Sequence, residues 1–95
     1  MSVFSTRLRE ARKAAGITQE RLGVLAGIDE ASASARMNQY ERGKHQPDFT
    51  MAERLAAALD VPEGYFYTKD DTLAALMLRY HRGTKAEQQT ILKAS

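Results

Sequence analysis

Short apolar stripes with helical spacing, each closed by a glycine, constrain the fold of this chain more than any other feature of its sequence. In the first stripe, Phe4, Leu8, Ala11 and Ala15 recur every three or four residues before Gly16. Glycine readily adopts the left-handed backbone that ends many helices, so the pattern predicts a first helix that stops there. No segment alternates apolar and polar residues over a length typical of a β-sheet. The sequence therefore predicts an all-α fold.

Two more short helices are predicted, close together in the chain. Thr18 is a favourable N-cap for a second helix of about two turns that ends before Gly27. A third helix is predicted from about Ser32 to Arg42, where Gly43 stops the apolar spacing. Two short helices joined by a turn that contains glycine are the pattern of a helix-turn-helix.

The second half of the chain predicts a fourth helix and a short fifth one. Asp48 can cap the fourth helix. The inward-facing residues of that helix are predicted to be Phe49, Ala52, Leu55, Ala56 and Leu59. Pro62 suits the first position of the fifth helix. The aromatic residues that this helix is predicted to add to the core are Tyr65, Phe66 and Tyr67.

Two further helices are predicted at the C-terminal end. An apolar helix follows Asp71, and Thr84 with Glu87 forms a capping-box pattern ahead of the last helix. We therefore expect a compact bundle of five short helices over residues 1–68, which contains the helix-turn-helix. A C-terminal helical extension over residues 69–95 is expected to pack on that bundle.

The composition excludes several classes of protein and site. A chain of 95 residues suits one domain with a modest core. Cysteine is absent, which removes disulfides and thiolate metal sites, and no apolar run reaches the ~20 residues that span a bilayer. We therefore expect a cytoplasmic protein with no cofactor, no metal and no membrane partner. The chain also offers no segment for a separate domain that senses a small molecule.

Charge is distributed unevenly along the chain. The net charge is +2, and residues 1–47 carry eight Lys and Arg against five Asp and Glu. Residues 48–95 carry six against seven. The basic excess in the first half is consistent with a nucleic-acid partner, although many ordinary domains show a similar asymmetry.

Four sequence motifs occur in a characteristic order. They are Gly16–Leu22, Tyr40–Lys44, Pro47–Asp48 and Leu55–Val61. Over residues 5–67 the chain thereby resembles the Cro/repressor (XRE-type) family of helix-turn-helix regulators, the lambdoid phage repressor type. The resemblance implies a bacterial or phage transcriptional regulator, most simply a repressor. Such a regulator inserts its third helix into the major groove of a double-stranded DNA operator.

The chain departs from the family in one spacing. The glycine of the turn, Gly27, and the glutamate of the Glu-Arg-Gly stretch, Glu41, lie about four residues farther apart than in the family. The surplus falls within residues 28–34. Either the turn is longer, or the third helix gains an extra turn at its N-terminal end.

The resemblance also implies which residues read bases. Ser34, Ala35 and Gln39 match the base-reading positions of phage repressors, and Arg36 lies beside them. Asn38 is a further candidate, because it remains on the DNA side or its edge if Met37 and Tyr40 face the core. Arg36 and Gln39 are the strongest of them, because guanidinium groups address guanine and amides address adenine. Asn38 is expected to be partly turned away. If the surplus shifts the helix in the groove, base reading passes to Ser32 or Ser34.

A second set of residues is expected to hold the DNA backbone. The candidate phosphate ligands are Thr18, Gln19, Arg9, Lys13, Arg42, Lys44 and His45. Thr18 and Gln19 start the second helix, whose N-terminal amides and dipole attract phosphate. For each Lys and Arg the alternative is a side chain that is simply solvated.

Arg12 and Glu41 occupy the positions of a buried Arg–Glu pair in phage repressors. The resemblance implies that this salt bridge joins the first helix to the end of the third and orients the recognition helix. Two independent surface charges are the alternative. Burial would make such a pair specific rather than strongly stabilising, because desolvation offsets much of the attraction.

The chain shows no catalytic constellation. Its two histidines, His45 and His81, lie in a loop and near a helix end, and neither has a partner at a metal-ligand spacing. We expect His81 to be solvated on a helix face. We therefore assign no catalytic residue and expect no enzymatic activity.

The predicted sixth helix is more apolar than one buried face requires. We expect Leu76, Met77 and Tyr80 to contribute to a homodimer interface, because one helix-turn-helix makes too few contacts for tight specific binding. The simpler alternative is packing onto the first and fifth helices. The competing function is an antitoxin or helical adaptor whose main partner is another protein, such as a toxin or an anti-repressor.

Overall fold

A computed structural model describes residues 2–94, and within that range the chain is helical without strands. The α-helices are α1 Val3–Ala15, α2 Gln19–Leu25, α3 Glu30–Glu41, α4 Phe49–Leu59, α5 Asp71–Arg82 and α6 Lys85–Ala94, with a 3₁₀ helix at Glu63–Tyr67 between α4 and α5. The prediction of an all-α fold with five short helices and two C-terminal ones is confirmed, the fifth helix being the 3₁₀ helix.

Side-chain caps determine where most of these helices begin. The Thr18 hydroxyl accepts a hydrogen bond from the Arg21 amide at 3.0 Å, and Asp48 accepts one from the Met51 amide at 2.8 Å. Thr84 and Glu87 form the predicted capping box ahead of α6. The hydrogen bond from the Thr84 amide holds the pKa of the Glu87 carboxyl below its usual value.

The core is built around α1, α2, α3, α4 and the 3₁₀ helix. Its largest fully buried side chains include Leu8, Leu22, Met37, Leu55 and Phe66. These residues come from five different elements, so the helix-turn-helix is held by the rest of the bundle and not by its own two helices alone.

The prediction of a buried position is wrong for two aromatic residues. Phe49 is 59% exposed because the apolar stripe of α4 extends one turn past the edge of the core, and Ala52 is the first buried residue of that helix. Tyr67 is 48% exposed, although its ring still contacts Phe4 with centroids 5.4 Å apart. A 3₁₀ helix has three residues per turn, so three consecutive aromatics on it cannot share one face.

The turn between α2 and α3 is short, and α3 begins at Glu30, earlier than predicted. Gly27 has a φ of 90°, and the Ile28 amide donates to the Gly23 carbonyl at 2.9 Å. Ile28 itself is buried in the core, which draws the chain back inward directly after the turn. The surplus residues therefore lengthen α3 at its N-terminal end and leave the turn short.

Helices α2 and α3 cross at a glycine. A Cβ placed on Gly23 would lie 2.8 Å from the Cβ of Ala33 and 3.1 Å from its backbone. Carbon atoms in ordinary contact are about 3.5–4.0 Å apart. The crossing thus requires glycine on α2 and a small residue on α3.

The C-terminal helices extend from one side of the bundle. Helix α5 buries only Ala74, and α6 buries no residue. Helix α6 packs on α5, and the Gln88 side-chain amide donates to the Tyr80 carbonyl at 2.8 Å. The molecule is accordingly elongated, 46 Å by 24 Å by 23 Å. None of the helices among residues 2–94 is long and apolar enough to cross a membrane.

The Gly23→Ala variant is expected to lower the free energy of unfolding by about 1–3 kcal/mol, because the added methyl group overpacks the crossing of α2 and α3. Equilibrium denaturation with urea measures this loss.

The double variant Gly23→Ala, Ala33→Gly moves one methyl group across the contact and is the control. A double-mutant cycle should give a favourable coupling between the two changes. A Gly23→Ala variant as stable as the starting protein would contradict the close-packed crossing.

Candidate nucleic-acid interface

Helix α3 presents one polar face to solvent. Ala33, Met37 and Tyr40 turn into the core, so the opposite face of the helix is exposed. All the predicted base-reading residues are exposed: Ser34, Ala35, Arg36, Asn38 and Gln39. The additional first turn places Ser32 on the same exposed side. Together these side chains form a ridge along α3, which we call the α3 ridge.

A cleft of about 370 Å³ runs along one flank of the α3 ridge. Arg36 and Gln39 line it from the helix, and His45 and Gln46 line it from the loop between α3 and α4. Asp48, the N-cap of α4, also lines it. This flank therefore combines the two strongest base-reading candidates with one predicted phosphate ligand.

A second cleft of about 280 Å³ lies on the opposite flank. Arg9 of α1, Gln19 of α2, and Asn38 and Arg42 at the end of α3 line it. Asn38 thus faces away from Arg36 and towards the predicted phosphate ligands. The α3 ridge stands between two concave surfaces that both carry cationic or amide side chains.

The remaining predicted phosphate ligands lie outside both clefts. Lys13 is exposed near the end of α1, and Lys44 is exposed in the loop after α3. The Thr18 hydroxyl already accepts the Arg21 amide as the cap of α2. The structure therefore brings only part of the predicted set to the flanks of the α3 ridge.

A buried ion pair lies beneath the second cleft. Arg12 Nε is 2.6 Å from Glu41 Oε2, and Arg12 Nη2 is 3.1 Å from Glu41 Oε1. Only 3% of the Glu41 side chain and 14% of the Arg12 side chain are exposed. The bidentate geometry is the strong form of an arginine–carboxylate contact. It joins the last turn of α1 to the last residue of α3.

Gln19 joins the same network. Its amide Nε2 donates to Glu41 Oε1 at 3.2 Å, and Arg12 Nη1 donates to the carbonyl of Ile17 at 2.9 Å. Within residues 2–94 every buried side-chain nitrogen and oxygen has a hydrogen-bond partner. Glu41 is therefore held from α1 and from the start of α2 at once.

Arg7 is the structural residue that the sequence does not reveal. It is only 6% exposed, and its Nε and Nη2 donate to the carbonyls of Thr68 and Lys69 at 2.9 Å and 3.0 Å. Its guanidinium also lies 5.7 Å from the ring centroid of Tyr65, whose pKa is raised by burial and by Glu10. An arginine among polar helix positions ordinarily predicts a surface residue, so no signal pointed to this contact.

His81 also differs from its prediction as a purely solvated side chain. Its Nε2 lies 3.2 Å from Asp60 Oδ1, at the C-terminal end of α4. No group of three His, Cys, Asp or Glu side chains in the described part of the chain is arranged to hold a metal ion.

Comparison with known proteins identifies this arrangement. The profile of the helix-turn-helix family matches residues 8–66, which include α2, α3 and the clefts beside them. The chain belongs to the XRE-type helix-turn-helix family. Members of this family are typically not enzymes. The family resemblance in the sequence is therefore confirmed.

One solved structure extends the likeness to nearly the whole chain. The crystal structure of transcriptional regulator BswR matches with a TM-score of 0.88 and 45% sequence identity, and the match covers 98% of this chain and 90% of that one. Both C-terminal helices therefore lie within the shared fold. No curated protein gives a significant match to the sequence.

Replacing Arg12 with Met is expected to lower the free energy of unfolding by about 3–5 kcal/mol, because the Glu41 carboxylate stays buried without its cation. Thermal and urea unfolding at neutral pH measure the loss.

The double variant Arg12→Met, Glu41→Met removes both charges and should lose less stability than the single variant. Equal losses in the two variants would show that packing, not charge compensation, dominates at this position.

Proposed function

We propose that this protein is a sequence-specific transcriptional regulator that inserts α3 into the major groove of double-stranded DNA and acts as a repressor. The observation that carries the proposal is the α3 ridge, an exposed helix face with a cleft on each side. The major groove of B-DNA is about 12 Å wide and accepts one α-helix. Small residues at Ala31, Ser32, Ser34 and Ala35 let the N-terminal half of α3 approach the bases closely.

Base reading is assigned to the side chains that reach farthest from the α3 ridge. Gln39 can pair with an adenine through both atoms of its amide, and Arg36 can pair with guanine O6 and N7. Ser34 and Ala35 are short, so they suit contacts with thymine methyl groups or single hydrogen bonds. Asn38 lies in the second cleft and contributes at the edge of the groove.

Backbone contacts are assigned to the two flanks. The sugar-phosphate strands border the major groove on both sides of an inserted helix, and phosphate contacts set the register of the protein. Arg9, Gln19 and Arg42 face one strand from the second cleft, and His45 faces the other from the first. Lys44 lies outside both clefts, exposed in the loop directly before His45, and is assigned to the same strand as His45. The Gln19 amide carries a second hydrogen besides the one that Glu41 accepts. Thr18 and Lys13 are assigned to the same DNA strand as Arg9, Gln19 and Arg42.

Repression is the simplest outcome of such binding. A protein that covers an operator blocks other proteins from the same DNA and needs no further activity. BswR, which shares the fold at 45% identity, is described as a transcriptional regulator. The proposal extends that role to this chain.

We also propose that residues 1–68 bind DNA and that residues 69–95 form a homodimer. Leu76 and Tyr80 on α5 are 45% and 37% exposed, and Leu92 on α6 is 54% exposed. With Met77 they line an apolar groove of about 470 Å³ between α5 and α6. A symmetric dimer would cover this groove and present two α3 helices to a pseudo-palindromic operator.

The Gln39→Ala and Arg36→Ala variants are each expected to lose about 1–3 kcal/mol of binding free energy on the preferred site, with flattened preference at particular base pairs. Lys44→Ala should instead weaken binding to all sequences alike and reduce the slope of log affinity against log salt by about 1. Selection from random duplexes, followed by fluorescence anisotropy titrations at several salt concentrations, measures both effects.

Gln89→Ala on the exposed surface of α6 is the matched control and should change neither quantity. If Gln39→Ala keeps the preference while Ser32 or Ser34 substitutions abolish it, base reading belongs to the first turns of α3. No salt-dependent binding to any duplex would favour an antitoxin or adaptor that needs a protein partner.

Sedimentation at micromolar concentration should show a dimer that Leu76→Glu converts to a monomer, because the new carboxylate is buried in the apolar interface. Leu25→Glu is the matched control, since Leu25 on α2 is 48% exposed and lies outside the groove. A monomeric starting protein would contradict the homodimer and favour a protein partner such as a toxin or an anti-repressor.

A further inference from the structure

Helix α5 is joined to the DNA-binding bundle by a narrow apolar contact and by polar contacts at its two ends. Ala74 is its only buried residue, and the half-buried Leu78 packs against the core beside it. The contacts at its ends instead use arginine side chains that donate to backbone carbonyls of other elements. The apolar contact is narrow, so the directional hydrogen bonds at the two ends of α5 contribute to its orientation.

The first of these contacts is made by Arg7 of α1. Its guanidinium donates to the carbonyls of Thr68 and Lys69, which lead into α5, and its Nη2 lies 2.9 Å from Oδ1 of Asp71, the first residue of α5. The planar guanidinium fixes the directions of several donors at once. Lysine has one nitrogen on a flexible stem and cannot reproduce that fork.

The second contact lies at the other end of α5. Arg82 donates to the carbonyls of Asp60 and Leu59 at 2.9 Å and 3.2 Å, and these carbonyls end α4. His81 adds its contact with the Asp60 side chain. Cations at a helix C-terminus are favoured by the helix dipole and by its unpaired carbonyls. Helix α5 is thus attached to α1 at its start and to α4 at its end.

We propose that Arg7 is a positioning residue for DNA recognition, which together with Arg82 sets the angle between α5 and the α3 ridge. The inference rests on the proposed homodimer. If two copies join through α5 and α6, that angle fixes the distance between their two α3 helices. In a molecule 46 Å long, a tilt of a few degrees moves the far end by about one base-pair step of 3.4 Å. Arg7 thereby selects the spacing of operator half-sites.

The test uses the full chain and duplexes that carry two preferred half-sites. The spacing between the half-sites is changed one base pair at a time over one turn of DNA. The starting protein should bind its best spacing at least ~10-fold more tightly than the neighbouring spacings, because avidity is lost when both sites cannot be engaged together. Arg7→Lys should reduce that ratio to about 3-fold or less, since the second subunit then reaches several spacings.

If Arg7 had a purely structural role, its replacement would not alter how the affinity depends on the spacing of the half-sites. The Arg7→Lys variant should keep the affinity for a single half-site and the dimer dissociation constant. Only the ratio of the affinity at the best spacing to that at the neighbouring spacings, the spacing ratio, should change. An unchanged ratio in a folded variant would overturn the positioning role. A monomeric starting protein, or one with equal affinity at every spacing, would instead overturn the homodimer on which the inference rests.

A second variant keeps the test decisive if Arg7→Lys does not fold. Arg82→Lys weakens the other attachment, and because the Arg82 side chain is 45% exposed its replacement disturbs no core packing. It should also reduce the spacing ratio, and an unchanged ratio would overturn the proposal. Arg54→Met replaces an exposed arginine on α4 and is the matched control, with no expected effect on the ratio.

Discussion

The buried carboxylate of Glu41 is the constraint on which the position of α3 depends. Glu41 is the last residue of α3, where the helix dipole disfavours a negative charge. Burial adds a desolvation cost, and the bidentate contact with Arg12 together with the Gln19 amide offsets both. Because these partners belong to α1 and α2, the compensation is available only when the three helices are correctly arranged.

Close packing, and not an ion pair, positions the N-terminal half of α3. Gly23 lets the backbone of α2 approach Ala33, and Ile28 anchors the turn in the core. The charged contact at one end of α3 and the close contact near the other remove most of the freedom of that helix. The α3 ridge is consequently a rigid surface, which limits the conformational entropy lost when it binds a ligand.

Most of the fold was predictable from the sequence because capping residues act locally. Thr18, Asp48 and the Thr84–Glu87 box mark helix starts through contacts within three residues. The start of α3 could not be predicted in this way, because Asp29 makes no side-chain cap and a run of alanine and serine has no strong periodicity. The helix start follows from the packing of Ile28 in the core, which is a tertiary contact.

The candidate site was predictable to a similar degree. The exposed face of α3 follows from the inward spacing of Ala33, Met37 and Tyr40, and the sequence placed its polar residues correctly on the opposite side. The two clefts depend on how α1 and the loop after α3 fold back beside the helix, which no local pattern encodes. Arg7 was missed for the same reason, since its partners lie more than 60 residues away in the chain.

The slight burial of α6 has a consequence for the lifetime of the protein. A helix of 10 residues is marginal in water by itself, and α6 buries no residue against α5. Its capping box also weakens as the pH falls through the lowered pKa of Glu87, because that carboxyl stabilises the helix only while ionised. We therefore expect α6 to unfold locally before the rest of the chain, and in the proposed homodimer the second copy would cover it and protect the chain from proteolysis. Protein outside the homodimer would then be degraded faster, which would couple the abundance of the protein to its assembly.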